Sequence, residues 1–201
     1  MKIILLRHGE TIWNKERRLQ GCQDIPLSDE GREQIRKTGQ QLAQTFPHID
    51  QILTSPLARA TESARIIARE LHFSPEAILT EPLFTERNFG VGEGLTYEEA
   101  LAKYPDSNYP GMETLDDLYR RAEAAIHQCA KEYSDRTVLV VAHGAIIKAA
   151  LVALTNGRIT YFDENVWINN GSYCLLEYAQ KKWKILTIPH SRSPLASQSP
   201  P

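Results

Sequence analysis

Two short, continuous apolar runs dominate the pattern of hydrophobic and polar positions along the chain. Residues 2–6 and residues 138–142 contain only apolar side chains, apart from Lys2 at the start of the first run. Continuous apolar runs of this length are typical of strands buried on both faces of a sheet. Weaker patterns over residues 50–53 and 77–80 predict two further strands.

Helical spacing of apolar residues occupies the intervals between these strands. Ser28 is expected to cap a helix that runs to about residue 45, and Thr114 to open one that runs to about residue 133. Ser55, followed by Pro56, predicts the N-cap and first position of another helix. The remaining predicted elements are a short helix opened by the Thr96-x-x-Glu99 capping box and a buried helix over residues 144–154. Residues 173–178 and 183–187, joined around Gln180-Lys181, predict a late hairpin or two edge strands.

The alternation of strands and helices predicts an α/β fold, a three-layer sandwich with a mostly parallel central sheet flanked by helices. The chain length of 201 residues favours one domain, which we place at residues 1–188. Residues 84–111 are rich in Gly, Pro, Tyr and Asn, and predict an inserted loop with one short helix, called the lid segment below. Pro and Ser dominate residues 189–201, so we expect a disordered tail there.

Charge and composition narrow the choice of partners. The 23 Lys and Arg residues nearly balance the 25 Asp and Glu residues, which argues against a nucleic-acid partner. An anionic ligand would therefore have to be held by a local cluster of positive groups. With no long apolar run and no signal-peptide pattern, we expect no membrane partner and a cytoplasmic location. The three dispersed cysteines, Cys22, Cys129 and Cys174, predict a reducing compartment and no zinc site.

Both strongly apolar strands end in the dipeptide His-Gly. His8 follows the first of these strands and His143 follows the second. In open α/β sheets the ligand crevice lies at the carboxyl ends of the strands, so neighbouring strands would bring both imidazoles into one crevice. A single histidine at a strand end is more often structural, but two in the same context favour a functional site.

Arginines and a carboxylate accompany the two histidines. Arg7 precedes His8, and Arg59 lies near the start of a predicted helix that follows a strand. A guanidinium group is a planar fork that matches phosphate or carboxylate oxygens, so these side chains predict a dianion pocket without a metal. Glu86, at the mouth of the lid segment, is the candidate acid, with Glu10 and Glu93 as alternatives.

Five short motifs follow one another along the chain. They are Leu6-Arg7-His8-Gly9-Glu10-Thr11, the polar Asn14 and Gln20-Gly21, Ser55-Pro56-Leu57-Ala58-Arg59-Ala60, Glu86 to Gly94, and Val141-Ala142-His143-Gly144. In this order they resemble the motifs of the histidine phosphatase superfamily, in its cofactor-dependent phosphoglycerate mutase-like branch. Within that branch the chain is most similar to the short bacterial phosphatases.

The resemblance implies a role for each matched residue. It implies that His8 attacks phosphorus and becomes a phosphohistidine, and that Glu86 protonates the leaving alcohol and then activates water. The implied phosphate-binding groups are Arg7, Arg59 and His143, with neutral hydrogen bonds from Asn14 and Gln20-Gly21. In this interpretation two guanidinium groups and one imidazolium supply the positive charge that phosphoryl transfer needs.

The implied activity is metal-independent and cofactor-free hydrolysis of a small phosphorylated metabolite by a monomer or a homodimer. Two alternatives remain: a phosphoglycerate mutase, and a non-catalytic phosphate-binding module. The lid segment carries few basic residues, which disfavours the mutase. The presence of both His8 and Glu86 disfavours the non-catalytic module.

One position departs from the family pattern. Gly92 stands where many members carry a bulky residue, so we expect the lid segment to pack differently. Tyr97, Tyr104 and Tyr109 are candidates to line the pocket, with packing inside the lid as the alternative.

Overall fold

The computed structural model describes residues 1–155, 159–161 and 166–189. The predicted tail at 189–201 lies outside the described residues apart from Pro189. No helix in the described ranges is both long and apolar enough to cross a membrane.

A six-stranded mixed sheet forms the centre of the fold, with the strand order β3-β2-β4-β1-β5-β6. The strands are β1 (Lys2–Arg7), β2 (Gln51–Thr54), β3 (Leu79–Thr80), β4 (Thr137–Ala142), β5 (Tyr173–Ala179) and β6 (Lys182–Thr187). The first four strands are parallel to one another, and β5 and β6 add an antiparallel edge. The predicted mostly parallel α/β sheet is confirmed.

Helices cover both faces of this sheet and complete the three layers. They are α1 (Ile12–Lys15), α2 (Asp29–Thr45), α3 (Ala58–Glu70), α4 (Tyr97–Lys103), α5 (Leu115–Glu132) and α6 (Gly144–Leu154). Helices α2 and α3 bury side chains such as Ile35 and Ile67 against one face. Helices α5 and α6 bury side chains such as Ile126 and Ile147 against the other. Since both faces are covered, β1 and β4 are apolar at every interior position, as the sequence pattern indicates.

The pairing of β1 with β4 positions the functional residues. The two strands are parallel neighbours, and Arg7 is in register with Ala142. His8 and His143 therefore leave the sheet side by side, with ring centroids 5.1 Å apart. The expectation that neighbouring strands bring the two imidazoles together is confirmed.

The late hairpin forms as predicted and turns through two residues with positive φ. Gln180 has φ 51° and Lys181 has φ 59°, which is the backbone conformation of a two-residue type I′ turn. This turn twists in the same sense as the flanking strands, so β6 returns along β5.

The predicted start of α3 is wrong. The helix begins at Ala58 with Leu57 as its N-cap, and the side chain of Leu57 makes no capping hydrogen bond. The carboxylate of Asp24, from a distant loop, accepts the backbone N–H of Ala58 at 2.6 Å. Ser55 is thereby released from capping the helix, and its hydroxyl contacts His143 instead.

The lid segment contains a short 3₁₀ turn at Gly90–Gly92 and the helix α4, whose predicted capping box between Thr96 and Glu99 is present. Gly92 leaves room for the ring of Tyr109, because a Cβ atom on Gly92 would lie 2.8 Å from that ring. Tyr109 in turn makes an edge contact with Tyr104, with centroids 5.6 Å apart. These two tyrosines pack within the lid segment, whereas Tyr97 is exposed.

Candidate active site

The imidazole of His8 is held between a carbonyl and a guanidinium group. Its Nδ1 lies 2.6 Å from the carbonyl oxygen of Gly9, and the Nε of Arg59 donates to its Nε2 at 3.2 Å. A carbonyl only accepts and a guanidinium only donates, so His8 carries its proton on Nδ1 and a lone pair on Nε2. Burial, together with the charges of Arg59 and Arg7, holds the pKa of His8 well below its usual value of 6.5. His8 is therefore neutral, as a nucleophile must be.

Close packing around Gly9 fixes the loop that carries His8. A Cβ atom on Gly9 would lie 2.6 Å from the carbonyl oxygen of Gly31 in α2, so no larger residue fits there. The side chain of Asn170 donates to the carbonyl oxygens of both His8 and Gly9. The backbone N–H of Gly171 also bonds to the carbonyl of His8. The backbone of His8 thus has its hydrogen bonds satisfied. Asn170, which supplies two of them, was not predicted from the sequence.

Arg59 is completely buried and lies in the first turn of α3. Its two terminal nitrogens donate to the carbonyl oxygens of Gln23 and Gly21, at 2.7 and 2.8 Å. A guanidinium has five N–H donors, and these contacts together with the one to His8 use three of them. Two N–H groups of Arg59 remain for an anion beside His8.

Arg7 lies at the end of β1, and its Nη1 donates to the carbonyl oxygen of Ile168 at 2.7 Å. Its Nε is buried and has no hydrogen-bond partner within the described ranges. Burial lowers the pKa of both Arg7 and Arg59, yet a guanidinium remains protonated at neutral pH. A buried unpaired donor is costly, so the Nε of Arg7 indicates where an acceptor binds.

His143 is completely buried, and its Nε2 lies 2.7 Å from the hydroxyl oxygen of Ser55. Its Nδ1 is buried without a partner in the described part of the chain. Burial, followed by the nearby charges of Arg59 and Arg7, holds the pKa of His143 well below its usual value of 6.5. The surroundings of His143 in the fold therefore disfavour the imidazolium form that the sequence interpretation expected. The positive charge comes from the two arginines.

The two predicted carboxamides meet at Thr11. The Oδ1 of Asn14 accepts from the backbone N–H of Thr11 and from the Nδ2 of Asn170, both at 3.1 Å. The Oε1 of Gln20 lies 2.9 Å from the hydroxyl of Thr11. Because both carboxamide oxygens bond to protein donors, the NH₂ groups of Asn14 and Gln20 are the ends left to donate to an anion.

Glu93 is a structural residue and not a free acid. Its Oε1 accepts the backbone N–H groups of Cys22 and Phe89, and its Oε2 accepts from Gln23. Gly21, with φ 54°, allows this approach, because a Cβ atom there would lie 1.9 Å from the Oε1 of Glu93. Glu93 therefore fastens the lid segment to the loop that holds Arg59.

Glu10 and Glu86 occupy different surroundings. Glu10 lies 3.7 Å from Lys15 at the surface. The carboxylate of Glu86 lies at the start of α6, within 3.4 Å of the backbone nitrogens of Ala145 and Ile146. These residues directly follow His143 and Gly144, so of the three candidate acids Glu86 is the one whose carboxylate lies beside the histidines.

The backbone at Glu86 is held in place by an ion pair that the sequence analysis did not predict. Arg121 in α5 makes a two-point ion pair with Glu113, at 2.9 and 2.7 Å. Its guanidinium also donates to the carbonyl oxygens of Leu83 and Thr85, at 2.9 and 2.6 Å, and to that of Glu86 at 3.4 Å. Arg121 and Glu113 thus hold the segment that presents Glu86. Neither residue forms a short local motif, so no sequence signal points to them.

The geometry defines a class of site. The Nε2 lone pair of a neutral histidine accepts from the buried guanidinium of Arg59, with Arg7 nearby, and among the described residues buried ring or guanidinium nitrogens without a partner remain on Arg7 and His143. This arrangement attracts an anion with several acceptor oxygens and places a nucleophile beside it, as in histidine-based phosphoryl transfer. The described residues contain no cluster of three or more His, Cys, Asp or Glu side chains that could hold a metal.

Comparison with known proteins assigns the family. The chain matches the histidine phosphatase superfamily (branch 1) over residues 3–190, and it belongs to this family. It is 38% identical to the uncharacterized phosphatase PhoE of Bacillus subtilis, over 91% of each chain. It is 32% identical to the probable phosphoglycerate mutase GpmB of an Enterobacter species, over 91% of this chain and 87% of that one. The solved structure of Bacillus stearothermophilus YhfR superposes with a TM-score of 0.84 at 26% identity, covering 96% of this chain and 98% of that one.

Proposed function

We propose that the protein is a metal-independent phosphatase that hydrolyses small phosphomonoesters through a phosphohistidine on His8. The observation that carries this proposal is the fixed tautomer of His8, which turns an unprotonated Nε2 toward the buried Arg59, with the charge of Arg7 also acting on the ring. A phosphate dianion placed there meets positive charge on its oxygens and a lone pair facing its phosphorus.

The first half-reaction transfers the phosphoryl group to the protein. The lone pair on Nε2 of His8 forms an N–P bond as the bond from phosphorus to the alcohol oxygen breaks. Glu86 in its protonated form gives its proton to the departing oxygen, so a neutral alcohol leaves. Such a general acid typically contributes 10²–10⁴-fold to the rate, with most benefit for poor leaving groups.

The second half-reaction hydrolyses the phosphohistidine and regenerates His8. Glu86, now a carboxylate, takes a proton from water as the water oxygen attacks phosphorus and the N–P bond breaks. Inorganic phosphate leaves, and His8 and Glu86 regain their starting protonation states. The donors of Arg7, Arg59, His143, Asn14 and Gln20 hold the phosphoryl oxygens throughout.

The lid segment favours hydrolysis over the mutase alternative. A mutase must bind a second anionic group of the substrate. It must also keep the substrate bound and water out of the site until the phosphoryl group is returned. Helix α4 carries Lys103 as its basic residue, beside Glu98 and Glu99. The surface that α4 offers to a second anion is therefore net acidic. The relatives named above include both a phosphatase and a probable mutase, so an activity assay decides between the two.

The test is an assay with p-nitrophenyl phosphate and a panel of metabolite phosphates, with and without EDTA. We expect EDTA-insensitive release of inorganic phosphate, and loss of that release in His8→Ala. Full activity of His8→Ala would contradict the proposal. Efficient isomerisation of phosphoglycerate without net phosphate release, in a coupled assay with 2,3-bisphosphoglycerate, would favour the mutase.

A further inference from the structure

Ser55 is the polar residue packed directly against the second histidine of the site. It follows β2, is fully buried, and places its hydroxyl oxygen 2.7 Å from the Nε2 of His143. Its backbone N–H donates to the carbonyl oxygen of Val141 at 3.0 Å, which continues the pairing of β2 with β4. The contact between Ser55 and His143 is therefore built into the register of two neighbouring strands.

The hydrogen-bond directions at this contact follow from the surrounding donors. The hydroxyl oxygen of Ser55 accepts the backbone N–H of Leu57 at 3.3 Å. Among the described residues, the Nε2 of His143 is the acceptor within hydrogen-bond distance of this hydroxyl, so the arrangement that uses the hydroxyl hydrogen is donation to Nε2. A neutral imidazole carries one N–H, so a hydroxyl that donates to Nε2 leaves the ring proton on Nδ1. Nδ1 is the nitrogen of His143 that is buried without a partner in the described ranges.

The charges around His143 explain why its tautomer matters. The groups that face it are Arg59, His8, Arg7 and Arg121, with the Glu86 carboxylate at the start of the helix it caps. The guanidinium groups of Arg59, Arg7 and Arg121 disfavour a second proton on His143. A neutral His143 helps to bind an anion only if its bare nitrogen points away and its N–H points inward, since a lone pair would repel phosphoryl oxygens.

We propose that Ser55 is a positioning residue that holds His143 in the tautomer protonated on Nδ1, so that the Nδ1–H group is the donor presented to a phosphoryl oxygen. The identity of the bound anion rests on the proposed function, whereas the tautomer does not. A hydroxyl group can also accept a hydrogen bond, so Ser55 can accept from the Nε2 of His143 when that nitrogen is protonated. Ser55 can therefore keep its contact if anion binding brings a proton to Nε2 of His143.

The experiment combines ¹⁵N NMR of histidine-labelled protein with inorganic phosphate as the probe. In the unsubstituted protein we expect His143 to give the signals of a neutral ring protonated on Nδ1. In Ser55→Ala we expect signals from the Nε2-protonated form, and an inhibition constant for phosphate that is weaker by about 10- to 100-fold, the range that corresponds to one lost hydrogen bond in a buried site. Ser55→Thr keeps a hydroxyl and should restore both readouts toward the original values.

A matched control is the preceding residue. Thr54 is also buried, and its hydroxyl donates to the carbonyl oxygen of Ser55 at 3.1 Å. Thr54→Val removes this hydroxyl with little change of shape, and it should leave the His143 signals and the phosphate affinity unchanged.

Two results would overturn the proposal: an unchanged His143 tautomer in Ser55→Ala, or an equal loss in Thr54→Val. If Ser55→Ala does not fold, Ser55→Cys retains the volume with a much weaker donor and gives the same readouts. Failure of the proposed function would look different, because His8→Ala would then remain active whatever the tautomer of His143.

Discussion

The Nε–H group of Arg59 points at the Nε2 of His8, 3.2 Å away. This contact comes from α3, whereas the carbonyl that fixes the other ring nitrogen belongs to Gly9, next to His8 itself. Two contacts of separate origin therefore select the same tautomer. The guanidinium of Arg59 covers the lone pair of His8 through this hydrogen bond. A phosphoryl group that enters between them would accept the Nε–H and meet the uncovered nitrogen.

The role of Glu86 predicts how its loss depends on the leaving group. Glu86→Gln keeps the size of the side chain but removes the proton that the leaving oxygen needs. We expect the single-turnover rate of phosphoryl transfer to the protein to fall by about 10²–10⁴-fold for alkyl phosphates. For p-nitrophenyl phosphate, whose leaving group needs no proton, this rate should fall far less. Single-turnover rates over a series of leaving groups measure this difference.

A matched control for Glu86→Gln is a second candidate carboxylate at a different place. Glu10→Gln, at the surface beside Lys15, should leave the rates unchanged for every leaving group. A dependence on the leaving group in Glu86→Gln that is identical to that of the unsubstituted protein would move the role to another carboxylate.

The ion pair between Arg121 and Glu113 predicts a positioning effect at a distance from the reacting atoms. Lysine cannot reproduce the two-point contact and the carbonyl contacts of Arg121, so Arg121→Lys should let the segment that carries Glu86 shift. A displacement of about 1 Å can cost about 10²-fold in rate. We therefore expect kcat for alkyl phosphates to fall by about 10- to 100-fold with little change in KM.

The neighbouring arginine provides the control for that experiment. Arg120 is exposed and pairs with Asp117 on the same helix. Arg120→Lys should be neutral for both kcat and stability. Equal effects of the two substitutions, or a loss at Arg121 that is the same for alkyl and p-nitrophenyl phosphates, would argue against a specific role in placing Glu86.

The two buried histidines predict a loss of stability in mild acid. The folded protein holds the pKa of His8 and of His143 well below 6.5, whereas in the unfolded chain both titrate near 6.5. Below that pH the unfolded state binds protons that the folded state does not. The free energy of unfolding should therefore be constant above pH 6.5 and fall below it, by up to about 1.4 kcal/mol per pH unit for each histidine.

Urea unfolding at pH 7.5 and pH 5.5 measures this dependence. His143→Gln should reduce the slope below pH 6.5, and the exposed His72→Gln should not. If the slope of the unsubstituted protein persists unchanged in His143→Gln, this histidine is not the source of the acid sensitivity.

Local sequence patterns predicted the strands and the pairing that brings His8 beside His143, because continuous apolar runs report directly on burial in a parallel sheet. They failed where the partner of a residue lies far along the chain. Ser55-Pro56 follows the local rule for a helix start, yet Asp24 bonds to the start of α3 and frees Ser55 for His143. The protonation state of His143 could not be predicted from the sequence either, because its pKa depends on how completely the fold buries the ring beside Arg59.

The contacts that single out Glu86 as the candidate acid could not be predicted from the sequence either. Glu86 was one of three candidate carboxylates in the sequence, and the structure separates it from Glu93 by showing that the latter bonds to Cys22, Gln23 and Phe89. Arg121 reaches that segment from α5, and no periodicity or motif encodes such a contact.

The most direct test of the account is to trap the intermediate. The protein is mixed with p-nitrophenyl phosphate, quenched in base within one turnover, and digested for mass spectrometry. The account predicts phosphate on the peptide that contains His8, stable in base and lost in acid, and absent from His8→Ala. Hydrolytic activity with no phosphate on His8 at any time of quenching, or phosphate on a different residue, would contradict it.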